Sequence, residues 1–95
     1  MSTNAKELMV ERCQEYFDSA IKAPLVPHGA GSGFENSDFI AQCFDDIQNE
    51  VMLEIHGVGY SDHIGSGDDI DQDYNDTSEV REDFTRETIY FVHVS

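Results

Sequence analysis

The chain has 95 residues, with 20 Asp and Glu against 5 Lys and Arg, a formal net charge of −15 and an isoelectric point near 4.2. That length supports one small domain, in which area scaling buries about two-thirds of the unfolded chain's surface. At 39% hydrophobic and 11% aromatic the chain is too apolar for a disordered acidic tail, and its charge excludes direct binding of DNA, RNA or an anionic bilayer, so its expected partners are cationic.

The first seven residues, Met1-Ser-Thr-Asn-Ala-Lys-Glu, pass directly into a polar helical pattern without an apolar leader, and no run approaches 18 apolar residues. A soluble, cytoplasmic protein is expected. From Ala5 to Ile21 the residues Met9, Cys13, Phe17 and Ala20 recur at spacings of three and four, the period of a helix with one buried face. Residues 22–35 hold both prolines and several glycines and read as a connecting loop. Ser37 or Asn36 then supplies an N-cap and Asp38 suits the positive helix end, with Phe39, Ile40, Cys43, Phe44 and Ile47 in helical register over about residues 37–50. Cys13 and Cys43 fall on the apolar sides of the two helices and read as reduced core thiols, with one inter-helix disulfide as the alternative.

Beyond the second helix Val51, Leu53 and Ile55 alternate with Met52, Glu54 and His56, the period of a strand. Thr88, Ile89, Tyr90, Phe91, Val92 and Val94 give a second β-branched and aromatic run at the end of the chain. The expected fold is therefore α+β: two helices packed on a short antiparallel sheet, in the order α-α-β-β. A long acidic loop over 61–85, with a short helix near Ser78 to Phe84, would join the strands. A two-stranded sheet has open edges, and pairing of such an edge with a second copy would make a homodimer.

The distribution of charge carries the functional reading. Between Lys22 and Arg81 there is no Lys or Arg, while thirteen acids occupy the same span. On the first helix Glu7, Glu11, Glu15 and Asp18 follow steps of four, four and three, which stacks carboxylates about 5–6 Å apart on one face. Asp69, Asp71 and Asp73 in an extended loop would repeat about every 6.6 Å along one side. Both rows approximate a ladder of nucleic-acid phosphates. A protein with such rows can occupy the basic groove of a DNA- or RNA-binding protein and release the counterions gathered there. The bland alternative is a solvated charged face, and adaptation to high salt would also scatter acids over the surface.

The expected function is a non-catalytic inhibitor or regulator that mimics phosphates, in the manner of small acidic anti-restriction or anti-CRISPR proteins of phages and mobile elements. Its partner would be a basic nucleic-acid-binding protein, with no cofactor. The candidate contact residues are Glu7, Glu11, Glu15, Asp18, Asp45, Asp46, Asp62, Asp68, Asp69, Asp71, Asp73 and Asp76. Tyr60 and Tyr74, set among acids, would serve as aromatic anchors between them.

Two non-catalytic alternatives come from other classes. Asp71, Asp73, Asn75, Glu79 and Glu82 match positions one, three, five, nine and twelve of a calcium loop, although Asp76 stands where the turn requires Gly. A generic acidic adaptor of a basic protein is the other. The segment His28-Gly-Ala-Gly-Ser-Gly33 lacks the lysine of a phosphate-binding loop. His28, His56, His63 and His93 lack zinc-ligand spacing, and neither cysteine sits where a catalytic thiolate would be favoured.

Overall fold

A computed structural model describes residues 4–23, 33–57 and 68–94, and every regular element among them is helical. Helix α1 spans Ala5–Tyr16 and continues as a π-helical stretch, Phe17–Lys22. Helix α2 spans Ser37–His56, α3 Asp68–Ser78 and α4 Arg81–Val94. The α+β expectation is thereby corrected: the two segments read as strands, 51–55 and 88–94, are the last turn and a half of α2 and the second half of α4.

The reason lies in which side chains are buried. Along α2 the buried positions are Ile40, Cys43, Phe44, Ile47, Gln48, Val51 and Met52, an unbroken three-four pattern through the region of apparent alternation. Leu53 and Ile55, which created that alternation, are 44% and 38% exposed. In α4 the buried positions are Phe84, Thr88 and Val92, four residues apart. Helical propensity penalises β-branched residues by under about 0.7 kcal/mol each, whereas burying a Phe or Val side chain returns about 1.5–3 kcal/mol. The spacing outweighs the propensity.

Caps fix the ends. The Asn4 side chain accepts from the Glu7 backbone N–H at 2.8 Å, and Asn36 accepts from the Asp38 N–H at 2.8 Å. At the other end of α2, Gly57 adopts φ +80° and its N–H bonds the Leu53 carbonyl, an αL stop that glycine enters without steric cost. At the start of the π-helical stretch the Phe17 N–H reaches the carbonyls of both Cys13 and Gln14, and the Ser19 hydroxyl bonds the Glu15 carbonyl at 2.8 Å. This local widening aims Phe17 at Phe91, ring edge to face at 5.5 Å, and buries Ile21 completely.

The tertiary pairings define a three-rod bundle. Arg12 meets Glu54 while Tyr16 meets Cys43, so α1 and α2 run antiparallel. His56 meets Asp73, Gln48 meets Thr77 and Asp45 meets Arg81, so α3 and α4 descend α2 one after the other as a single broken rod. At 1.5 Å per residue its 27 residues measure about 40 Å, close to the longest molecular dimension of 44 Å. The rod breaks at Glu79 and Val80, where the N–H groups reach back three residues to Asp76 and Thr77. Helix α2 is the hub. It supplies Ile40, Cys43, Phe44, Ile47, Val51 and Met52 to the core, against which Met9 and Cys13 of α1, Ile70 of α3 and Phe84 and Val92 of α4 pack.

A second correction concerns the long loop. Residues 68–78 are helical rather than extended, because Ile70, Tyr74 and Thr77 recur at four and three and seat against α2. On a helix Asp71 and Asp73 stand about 200° apart, so the expected row of alternate aspartates does not form. The homodimer argument from an open strand edge also loses its basis, since no strand occurs among the described residues.

Candidate protein-interaction face

The basic residues fix the geometry of the acidic surface. Arg12 reaches across from α1 to α2: its Nη2 donates to both carboxylate oxygens of Glu54 at 3.0 Å and its Nη1 to Glu15 at 3.0 Å. These bonds, Glu54 first and then Glu15, hold the guanidinium above its ordinary pKa. Arg81 donates to Asp45 at 2.6 Å and stacks over the Phe44 ring at 5.0 Å, tying α4 to α2. Lys6 bridges α1 to Glu79 at 3.2 Å, and Arg86 pairs with Glu82 and Asp83 of its own helix. Three of the five bases thus bridge between elements and a fourth is bound within α4.

What remains is a solvent face of nearly uniform sign. Glu7, Glu11 and Glu15 lie along the exposed side of α1, and Asp18 continues the row, also exposed, on the π-helical stretch. Across the Arg12 seam α2 adds Asp46, Glu50 and Glu54, also exposed. Seven carboxylates against one guanidinium over the twelve residues from Glu7 to Asp18 amount to about one net charge per 3 Å, compared with one per about 1.7 Å for duplex DNA. The face therefore carries a charge density of the same order as a nucleic-acid backbone.

At the seam the Tyr16 hydroxyl donates to the Cys43 sulfur at 3.3 Å. The Tyr16 phenol is pushed up to about 12 by burial, by that hydrogen bond and by the nearby Asp46 charge, so it stays a neutral donor. Burial, with Glu87 adding to it, pushes the Cys13 thiol up to about 12. At neutral pH Cys13 is a thiol and not a nucleophilic thiolate. Both cysteines are free and buried, so the disulfide alternative is not realised.

The other expected contact residues are distributed differently. Asp45 is engaged by Arg81, and Asp73 accepts from His56 at 2.8 Å between α2 and α3. Tyr74 is half-buried with its ring on the core, while Asp71 and Asp76 are half-buried on α3. Asp68 and Asp69 belong to the first turn of α3. Asp62 and Tyr60 lie outside the described residues, as do His28, His63 and the glycine-rich segment up to residue 32. The calcium-loop spacing of Asp71, Asp73, Asn75, Glu79 and Glu82 is spread along α3, the turn and the start of α4, which points the donors in several directions. No group of three or more His, Cys, Asp or Glu positioned for a metal occurs among the described residues.

Sequence reasoning missed Glu50 and Glu54 as part of the α1 face. The available signal was their i,i+4 phase with Asp46, hidden by ending the second helix at residue 50. It also missed a groove between α1 and the α3–α4 break. Compared with protein-family models, curated proteins and solved structures, the chain matches none. No helix among the described residues is long and apolar enough to cross a membrane.

Proposed function

We propose that the protein is a non-catalytic inhibitor or regulator that presents the α1–α2 face as a substitute for nucleic-acid phosphates and occupies the basic groove of a DNA- or RNA-binding protein. The observation that carries this reading is the pairing of the Glu7–Asp18 row with Asp46, Glu50 and Glu54 on one exposed surface. Of the five bases, Lys6, Arg81 and Arg86 are drawn into bridges elsewhere, Arg12 lies within the face and Lys22 stands four residues beyond Asp18. An ordinary solvated surface mixes both signs, because like-charge repulsion lowers stability without return. Counterions released from the partner's groove would supply much of the affinity, as they do when DNA binds there.

Charge reversal tests the reading. The triple variant Glu7→Lys, Glu11→Lys, Glu15→Lys changes exposed positions only and should keep the helical circular dichroism signal. It should also lose the ability to compete with a labelled duplex for a basic DNA-binding partner. Competition retained by the variant removes this face from the mechanism. Binding of the wild-type protein that leaves the duplex in place identifies an acidic adaptor instead.

A further inference from the structure

Helices α1 and α4 are only sparsely in contact. They converge at the Tyr16–Phe84 and Phe17–Phe91 ring pairs, and beside the break at Glu79 and Val80 a groove of about 240 Å³ opens between them. Its apolar lining is Val10, Cys13, Val80 and Phe84, of which only Val10 is exposed, and its other wall, formed by the break and α4, carries Glu79, Asp83 and Glu87 opposite Lys6 and Gln14 of α1. Those three acids step by four residues along one side of the rod. A second, shallower depression adjoins it along α1, sharing Lys6 and Val10 and adding Asn4 and Glu7. Val10 is 51% exposed although α1 has ample polar residues for its outer surface.

From this geometry we infer that the groove docks a basic, amphipathic segment of the partner protein, with an apolar side chain against the exposed Val10 and a flanking Lys or Arg on Glu87. Three observations select that occupant. The groove, at about 240 Å³, suits one or two protein side chains, and the adjoining depression of about 420 Å³ is too open to enclose a small molecule. Lys6 and Arg86 pair with Glu79 and Asp83 at the surface, which leaves Glu87 as the exposed wall acid that complements a cationic neighbour of the anchor. A second copy of this chain would bring another −15 of charge against them, which opposes self-association. The inference deepens the reading above, on which its choice of a basic partner rests. Charge on the α1–α2 face steers and holds the groove of the target, while Val10 and the apolar part of this groove add affinity that salt does not screen.

Two probes separate the contributions: a helix-forming peptide of about 15 residues with Leu on one face and Lys on the other, and an oligolysine of equal charge. Titrated into ¹⁵N-labelled protein, the amphipathic peptide should shift the amides of Val10, Gln14, Val80 and Phe84 most strongly. It should stay bound at about 1 M salt, where the Debye length is about 3 Å and oligolysine is released. Val10→Gln, a neutral change at an exposed site, should weaken the amphipathic peptide about tenfold and leave oligolysine unaffected, while Val10→Ile retains binding. Equal affinities for the two peptides, shifts spread over the acidic surface, or an indifferent Val10→Gln would overturn the inference. So would a dimer in sedimentation that Val10→Gln dissolves. Loss of duplex competition in the charge-reversed variant is a separate readout, so either idea can fail while the other stands.

Discussion

Helix α2 meets its neighbours through Ile40, Phe44, Ile47, Val51 and Met52, whereas α3 is held largely through polar bonds. Gln48, only 2% exposed, donates from Nε2 to the Tyr74 carbonyl at 3.0 Å, the Thr77 hydroxyl at 2.8 Å and the Ser78 hydroxyl at 2.9 Å. Thr77 and Ser78 in turn bond back to the Asp73 and Tyr74 carbonyls, a pattern that bends helices and here precedes the break in the rod. The His56–Asp73 bond closes the other end. Residues 68–78 include five aspartates and no Lys or Arg, so α3 is internally repulsive and lacks the apolar stripe of α2. A non-directional hydrophobic face tolerates small shifts, but a polar clamp holds only while every partner is present. Helix α3 is therefore the part of the bundle expected to open first.

The largest expected effect is at the hub. Phe44 is fully buried, touches the Phe84 ring at 6.0 Å and lies under Arg81, so Phe44→Ala should destabilise the whole domain by about 3–5 kcal/mol in urea unfolding. A loss confined to one element would break the assignment of α2 as the hub. Gln48→Ala should cost about 1–3 kcal/mol by removing the buried amide donor that ties the Thr77 and Ser78 hydroxyls to α2. Hydrogen exchange should show the deprotection concentrated in α3 amides, and uniform deprotection would contradict the clamp.

Two threonines sharpen the contrast with changes of opposite sign. Thr77 and Thr88 are both fully buried, but the Thr77 hydroxyl joins the Gln48 network while the Thr88 hydroxyl has no hydrogen-bond partner. Thr77→Val should destabilise by about 1 kcal/mol, and Thr88→Val should stabilise by a similar amount, since it removes a desolvated group with nothing to bond. Thermal melts that move in the same direction for both would refute the distinction.

The smallest effect is at alkaline pH. In the folded chain Cys13 and Tyr16 hold their protons to about 12, whereas unfolded they ionise near 9.0 and 10.0. The folded state then binds more protons than the unfolded one, so this contribution is complete below about pH 9 and is lost as pH rises toward 12. Urea midpoints should fall between pH 8.5 and pH 10.5, and Cys13→Ala should flatten the decline.

Much of α1 was legible because its buried residues, its cap and its acidic row all follow the same helical period. The start of α2 was equally clear from Asn36 and the register of Ile40, Cys43, Phe44 and Ile47. Its end was not, because Leu53 and Ile55 are apolar residues on an exposed side and imitate a strand's alternation. In α4 the run from Thr88 to Val94 has strand propensity, and only the four-residue spacing of Phe84, Thr88 and Val92 opposes it. Helix α3 was hidden by its composition, since its seat on α2 depends on Gln48 and His56, partners more than sixteen residues distant in sequence. The acidic row on α1 was visible from spacing alone. Its completion by Glu50 and Glu54 required knowing that α2 continues past Val51 and lies antiparallel to α1.

The most direct test of phosphate mimicry is capture from a nuclease-treated lysate of the source organism on immobilised wild-type protein and on the Glu7→Lys, Glu11→Lys, Glu15→Lys variant, with elution by duplex DNA at constant salt. Under mimicry, a nucleic-acid-binding protein leaves the wild-type column when DNA is added and is never retained by the variant. Partners that ignore DNA, or that bind both columns equally, would contradict it.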